Sequence, residues 1–183
     1  MGRRIILKKE FFSRATPVVA KELLGKYLVR KRNGKETAHM ITEAEAYDGF
    51  FDKASHAYKG KTPRAKVMFG EPGIWYVYLV YGMHEMLNVV TGERDYPAAV
   101  LIRGVEGING PGKLTKAFSI TRAFNNKKAG RETGLWIEDR GTIVAKKNIA
   151  STPRVGVHYA GSYWAGRPWR FVLLSLDQPG ENK

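Results

Sequence analysis

Tyr27-Leu28-Val29-Arg30-Lys31-Arg32-Asn33-Gly34-Lys35-Glu36-Thr37-Ala38-His39-Met40-Ile41-Thr42-Glu43-Ala44-Glu45-Ala46-Tyr47 is the stretch that decides the fold. Asn33-Gly34 is the residue pair favoured in type I′ turns, and Tyr27-Leu28-Val29 and Met40-Ile41 flank it, so residues 27–47 read as a β-hairpin. Glu45 falls at the end of its second strand. Further strands are predicted at residues 75–80, 86–90, 98–103, 135–138 and 170–176, with a helix opening near Gly112-Lys113-Leu114. Strands that follow one another without intervening helices favour antiparallel pairing, hence an α+β class: one compact domain over residues 1–183, mainly antiparallel sheet with peripheral helices.

Upstream of the hairpin, Thr16-Pro17 followed by Val18, Val19, Leu23 and Leu24 predicts a short amphipathic helix, capped at Thr16 and closing at Gly25. Downstream, Gly49, Gly60, Pro63, Gly70, Pro72 and Gly73 break residues 48–72 too often for a regular element, which predicts a long ordered loop. No internal repeat or low-complexity tract divides the chain, and the tail from Asp177 to Lys183 is expected to fray.

Composition bounds the function. The 183 residues fit one domain, and 43% hydrophobic with 26% charged residues is an ordinary globular balance. With 31 basic against 17 acidic residues, the net charge of +14 attracts polyanions and points to nucleic acid or a ribosome-like partner. No apolar stretch approaches the roughly 20 residues of a membrane span, and the N-terminus lacks the apolar run of a signal peptide, so a cytosolic or nuclear location is expected, without membrane association. The absence of cysteine excludes disulfides, thiolate nucleophiles, Cys-based zinc sites and Cys-ligated iron–sulfur clusters.

Several residues could carry chemistry. A strand period of two places Glu43, Glu45 and Tyr47 on one face; a polar solvated surface is the ordinary reading of such a face, because Glu is seldom buried. In Trp75-Tyr76-Val77-Tyr78-Leu79-Val80-Tyr81-Gly82-Met83 the aromatics suit a strand core, yet Tyr81 precedes a Gly where the strand could turn, and could project as a wedge between base steps. Tyr78 could then stack on an extruded base. His39, His56, His84 and His158 form no His-x-x-x-His pair, and His84-Glu85 is followed by Asn88 where a metalloprotease helix needs His, so no metal site is expected. His56, within the long loop, could donate to a sugar or phosphate or simply be exposed. Gly110-Pro111-Gly112-Lys113-Leu114 lacks the spacing of a nucleotide P-loop, although a helix starting there would offer amides and Lys113 to a phosphate.

Glu43-Ala44-Glu45-Ala46-Tyr47, Ser55-His56, Pro72-Gly73-Ile74-Trp75-Tyr76-Val77-Tyr78, Tyr81-Gly82-Met83, Asn88, Val100-Leu101-Ile102-Arg103, Gly110-Pro111-Gly112-Lys113-Leu114 and Pro153-Arg154-Val155-Gly156-Val157 run in order along nearly the whole chain. Together they closely resemble the alkyladenine (3-methyladenine) DNA glycosylase family, whose fold is a single α+β domain. The resemblance implies a cofactor-free, monomeric, monofunctional glycosylase of base excision repair. Such an enzyme flips an alkylated or deaminated purine, of the 3-methyladenine, 7-methylguanine or hypoxanthine class, out of duplex DNA and hydrolyses its N-glycosidic bond. Carried over by position, it makes Glu45 the general base, with Arg103 and the backbone carbonyl of Val155 helping to hold the water. Tyr47, His56, Tyr78 and Asn88 become the base pocket, Tyr81 the intercalating side chain, and Met83 and Lys113 contacts to the DNA backbone. One departure stands out: only Gly104 to Asn109 separate Arg103 from the Gly-Pro-Gly-Lys segment, where many members carry a longer insertion. Two other readings compete, a non-enzymatic RNA- or ribosome-binding protein and a nucleosidase using Glu43 and Glu45 as a carboxylate pair.

Overall fold

The computed structural model describes residues 4–176; the tail expected to fray, 177–183, lies outside them. The hairpin forms as the sequence predicts, from β2 (Tyr27–Arg32) and β3 (Lys35–Asp48). Asn33 and Gly34 sit at φ +50° and +78°, as a type I′ turn requires at both central positions. At 14 residues β3 is long enough to serve two neighbourhoods. Its first half pairs with β2, and its second half lies between β6 (Ala98–Val105) and β10 (Arg170–Leu173).

The remaining strands are β1 (Ile5–Ile6), β4 (Trp75–Val80), β5 (His84–Val90), β7 (Ile108–Asn109), β8 (Leu135–Asp139) and β9 (Ile149–Thr152). Their order across the sheet is β1-β8-β2-β3-β6-β5-β4; β10 joins β3 to β9, and β7 joins β6. Every strand pair among the described residues is antiparallel, and the short helices α1 (Lys9–Phe12), α2 (Thr16–Glu22), α3 (Pro111–Ala117) and α4 (Gly161–Ala165) are peripheral. The class is α+β in a single compact domain, as the strand succession implied.

Four details differ from expectation. Thr16 is not a helix cap: Ala15 holds the N-cap position, and the Thr16 hydroxyl instead donates to Asp48 at 2.6 Å, tying α2 to the end of β3. The helix closes at Glu22, before Gly25, and β10 ends at Leu173 rather than 176. The strands β1, β7 and β9 and the helices α1 and α4 were not anticipated, because elements of two to five residues are too short to show a period. The long loop is ordered, with 3-10 turns at His56–Lys59 and Lys66–Phe69.

The sheet separates two packing regions. Leu23, Leu28, Ile41, Trp75, Leu87 and Ile102 are among the residues of the main core, which also includes Ala44 and Ala46 of β3. Val67, Met68 and Phe69 of the long loop bury themselves with Tyr76, Val90 and Ala99 in a second cluster, which anchors that loop to the sheet. The short segment after Arg103 is a tight β6–β7 hairpin: Val105 pairs with Ile108 around Glu106-Gly107, and Gly107 sits at φ +78°.

Candidate active site

Strand register assembles the site. Tyr76 lies opposite Asn88, Asn88 opposite Leu101, Leu101 opposite Glu45, and Glu45 opposite Arg170, a single cross-strand row from β4 through β5, β6 and β3 to β10. Directly opposed residues of antiparallel strands project to the same face, so the row is one surface. Two residues along β4, β6 and β3, the same alternation brings up Tyr78, Arg103 and Tyr47.

Glu45 is fully buried, at 0% exposure, so the solvated-face reading of this strand does not hold. Two hydrogen bonds and an ion pair hold its carboxylate: the Val155 amide donates to Oε1 at 2.8 Å, the Tyr47 hydroxyl to Oε2 at 2.9 Å, and Arg103 Nε, which donates to Glu43, lies 3.4 Å from Oε1. Burial raises the Glu45 pKa above the ordinary carboxylate range; Arg103, the Val155 amide and the Tyr47 hydroxyl oppose the shift, while the nearby Glu43 adds to it. Glu43 is differently placed. Arg103 Nε and Arg170 Nε meet its Oε1 at 2.9 and 2.6 Å, so two guanidiniums neutralise it, which argues against a pair of equivalent catalytic carboxylates.

Above Glu45 lies a cleft of about 900 Å³, at the upper end of the range usual for ligand sites. Tyr47, His56, Tyr78, Asn88, Arg103 and Val155, all singled out from the sequence, line it together. Glu45 itself contributes no surface; it sits behind Tyr47, Arg103 and Val155. The contact Val155 makes to Glu45 is through its amide.

The aromatic side of the cleft is a packed cluster. The His56 ring meets Tyr78 edge to face at 4.6 Å, and its Nδ1 hydrogen-bonds the Tyr76 hydroxyl at 2.9 Å. Burial, with the Arg64 charge second, pushes the His56 pKa down to about 4, so the imidazole is neutral at physiological pH. Burial likewise pushes the Tyr78 phenol up to about 12 and raises Tyr76 and Tyr47 further, which keeps all three as neutral hydroxyls. Asn88 donates from Nδ2 to the carbonyls of Tyr76 and Met86, which fixes its amide and leaves Oδ1 as its remaining acceptor.

Tyr81 occupies the tip of the β4–β5 hairpin at the cleft rim. The Met83 amide closes the turn on the Val80 carbonyl at 3.1 Å, and both central residues, Tyr81 and Gly82, sit at positive φ, +52° and +69°. A bulky residue in the left-handed region is uncommon, and this one is 89% exposed, so packing does not explain its presence. Met83 and Lys113 are exposed, and neither lines the cleft, although Pro111 of the same helix as Lys113 does.

Sequence reasoning missed what supports the site. Arg154 and Asp52, both fully buried, form a bidentate pair at 2.6 and 2.8 Å, and Arg154 also donates to the Ala46 carbonyl at 2.9 Å. This pair joins the long loop, β3 and the segment that brings the Val155 amide onto Glu45. Arg154 was visible within its motif, but nothing local announces a partner 102 residues away. Tyr76, Arg64 and Tyr159 also line the cleft without having been assigned to it. Among the described residues there is no group of three or more His, Cys, Asp or Glu that could hold a metal ion, and no helix is long and apolar enough to cross a membrane.

A buried, amide-held carboxylate behind an aromatic cleft, on a strongly basic chain, is an arrangement suited to hydrolysing a glycosidic bond in nucleic acid. Comparison with known proteins narrows it. The profile of the methylpurine-DNA glycosylase family matches residues 10–109 and 106–176. A 3-methyladenine DNA glycosylase, so named, of Methanocella arvoryzae is 46% identical over 96% of this chain and 98% of its own. Proteins of the same name from Anaeromyxobacter dehalogenans and Ehrlichia chaffeensis are 47% and 42% identical, covering 91% and 93% of this chain and 83% and 94% of theirs. The chain belongs to the methylpurine-DNA glycosylase family: it is a DNA glycosylase, an enzyme of DNA repair, and its substrate is DNA.

Proposed function

We propose that the protein extrudes alkylated or deaminated purines, of the 3-methyladenine, 7-methylguanine and hypoxanthine class, from duplex DNA and hydrolyses the N-glycosidic bond with a water activated by Glu45. The observation that carries this reading is the buried Glu45 carboxylate, held by Arg103 and the Val155 amide directly behind a tyrosine-lined cleft. As the bond breaks, its electrons leave with the base and positive charge develops on the sugar. The carboxylate stabilises that charge and accepts the proton of the water whose oxygen bonds to C1′. The donors around Glu45 offset its burial and hold the anion ready, while the Val155 carbonyl and Arg103 orient the water. Because Glu45 exposes no surface, one of its contacts must lengthen to admit that water.

A cationic methylated purine is already a good leaving group. Neutral hypoxanthine needs hydrogen bonding or protonation as it departs. Tyr47, His56 and Tyr78 enclose the base, and Asn88 discriminates against the exocyclic amine of guanine. Extrusion costs a few kcal/mol, least for a damaged or mispaired base, and Tyr81 offsets it by filling the gap in the stack. The enzyme acts as a monomer, without strand cleavage, in the compartment that holds DNA. The test is single-turnover release of these bases from duplexes carrying one lesion each, with borohydride trapping in parallel. Abasic product without a trapped adduct is expected, and no release from any lesion duplex removes the reading.

Binding should be dominated by phosphate contacts and only slightly dependent on sequence. Raising salt from about 50 to about 200 mM is expected to weaken affinity by about 10³-fold or more, measured by fluorescence anisotropy, if six or more phosphates are engaged. For Tyr81→Gly the two roles of the residue separate. Removing a side chain from the left-handed region is expected to leave stability unchanged or raise it by roughly 1 kcal/mol in thermal melts. Base extrusion should fall, read with a fluorescent base analogue beside the lesion. A drop in Tm together with unchanged extrusion would return Tyr81 to a structural part.

A further inference from the structure

We infer that Arg64 is a specificity-determining residue of the cleft: its guanidinium, fixed against Tyr78, biases base release toward neutral purines and against purines that carry a positive charge. The inference rests on the reading that the cleft receives the extruded base.

The placement of Arg64 is unusual for an exposed side chain. It extends from the long loop to β4, where Nη2 donates to the Leu79 carbonyl at 2.9 Å and Cζ lies 4.9 Å from the centre of the Tyr78 ring. Two contacts to adjacent residues of one strand hold the charge along the cleft wall. Among the described residues no carboxylate forms an ion pair with it. Its charge is felt within the cluster: after burial, Arg64 is the second cause of the lowered His56 pKa. Lys53 and Lys59 line the same cleft and add to the same sign.

The face of an aromatic ring attracts a cation through its quadrupole. Tyr78 already has one there, so a cationic base brought against the same ring meets Arg64 as a like charge, and little of the ring's attraction remains for it. A hypoxanthine, being neutral, does not experience this opposition. Glu43 offers a methylated purine no compensation, because Arg103 and Arg170 already neutralise it.

The experiment compares single-turnover release of 7-methylguanine and of hypoxanthine, at saturating enzyme so that affinity drops out, for the wild type, Arg64→Met and Arg64→Lys. In Arg64→Met the ratio of 7-methylguanine to hypoxanthine rates is expected to rise about three- to tenfold, the scale of one cation–ring interaction. In Arg64→Lys, which restores the charge, it should stay within about twofold of wild type. A purely structural loss would lower both rates together. An unchanged ratio in Arg64→Met overturns the inference, as does an equal rise in Arg64→Lys or a loss of DNA affinity with the ratio intact. Wild-type protein that releases neither base removes the reading of the cleft itself, a separate failure.

Discussion

Replacing Glu45 by Gln is expected to lower single-turnover base release by about 10²–10⁴-fold while leaving DNA binding and folding in place. Gln matches Glu in size; its Oε1 can still accept from the Val155 amide, while its Nε2 can donate to the Tyr47 hydroxyl oxygen, so the packing around position 45 survives. What is lost is the negative charge that stabilises the sugar cation and takes the proton. The acid limb of the wild-type pH profile should disclose the same group. Burial raises the Glu45 pKa, so activity should climb with pH through a value above the usual carboxylate range and then level off. The stability sign follows from the same shift. A carboxylate whose folded pKa exceeds its unfolded one contributes stability that is fully present below the unfolded pKa and is lost as pH rises through the folded pKa. Glu45→Gln should therefore melt at a higher temperature relative to wild type at pH 7.5 than at pH 4. Undiminished release by the variant would end the assignment of Glu45 as the base.

Arg154→Met is expected to cause the largest loss of stability, about 3–5 kcal/mol, since it leaves the Asp52 carboxylate buried without its partner. For a domain of this length that corresponds to a fall in Tm on the order of 10 °C. Activity should fall in the fraction that remains folded, because the segment carrying the Val155 amide loses its tie to the Ala46 carbonyl and to the long loop. The double variant Asp52→Leu with Arg154→Met removes both charges and should recover much of the stability, as paired buried charges replaced by apolar groups commonly do. It should recover less of the activity, because no contact reseats Val155. Equal melting temperatures for Arg154→Met and wild type would show that the pair is not the tie described.

Local signals predicted elements well and long-range partners poorly. Asn33-Gly34 revealed the central hairpin because a type I′ turn needs two residues tolerant of positive φ. Alternation in residues 75–80 revealed a strand, although its pairing of Tyr76 with Asn88 and, through Leu101, with Glu45 depends on register set by three other strands. The period of two put Glu43 and Glu45 together correctly as neighbours on β3, but pairing with β6 shifts register on either side of Glu43, and no residue type marks that irregularity. Their different partners, two guanidiniums for Glu43 and an amide with a phenol for Glu45, were equally invisible locally. Thr16 illustrates a competing demand: a good capping residue is used for a tertiary hydrogen bond to Asp48 instead.

The last described strand bears on how the enzyme comes into being. β10 places Arg170 against Glu43 across 127 residues of sequence, and it pairs with the half of β3 that holds Glu45. During synthesis from the N-terminus, Glu43 and Glu45 therefore wait for residues 170–173 to leave the ribosome before β10 pairs with their strand. Contacts this distant in sequence also slow folding. Nascent chains halted before residue 170 should accordingly show no base release, so the capacity to cut bases from DNA arises only once β10 has been made.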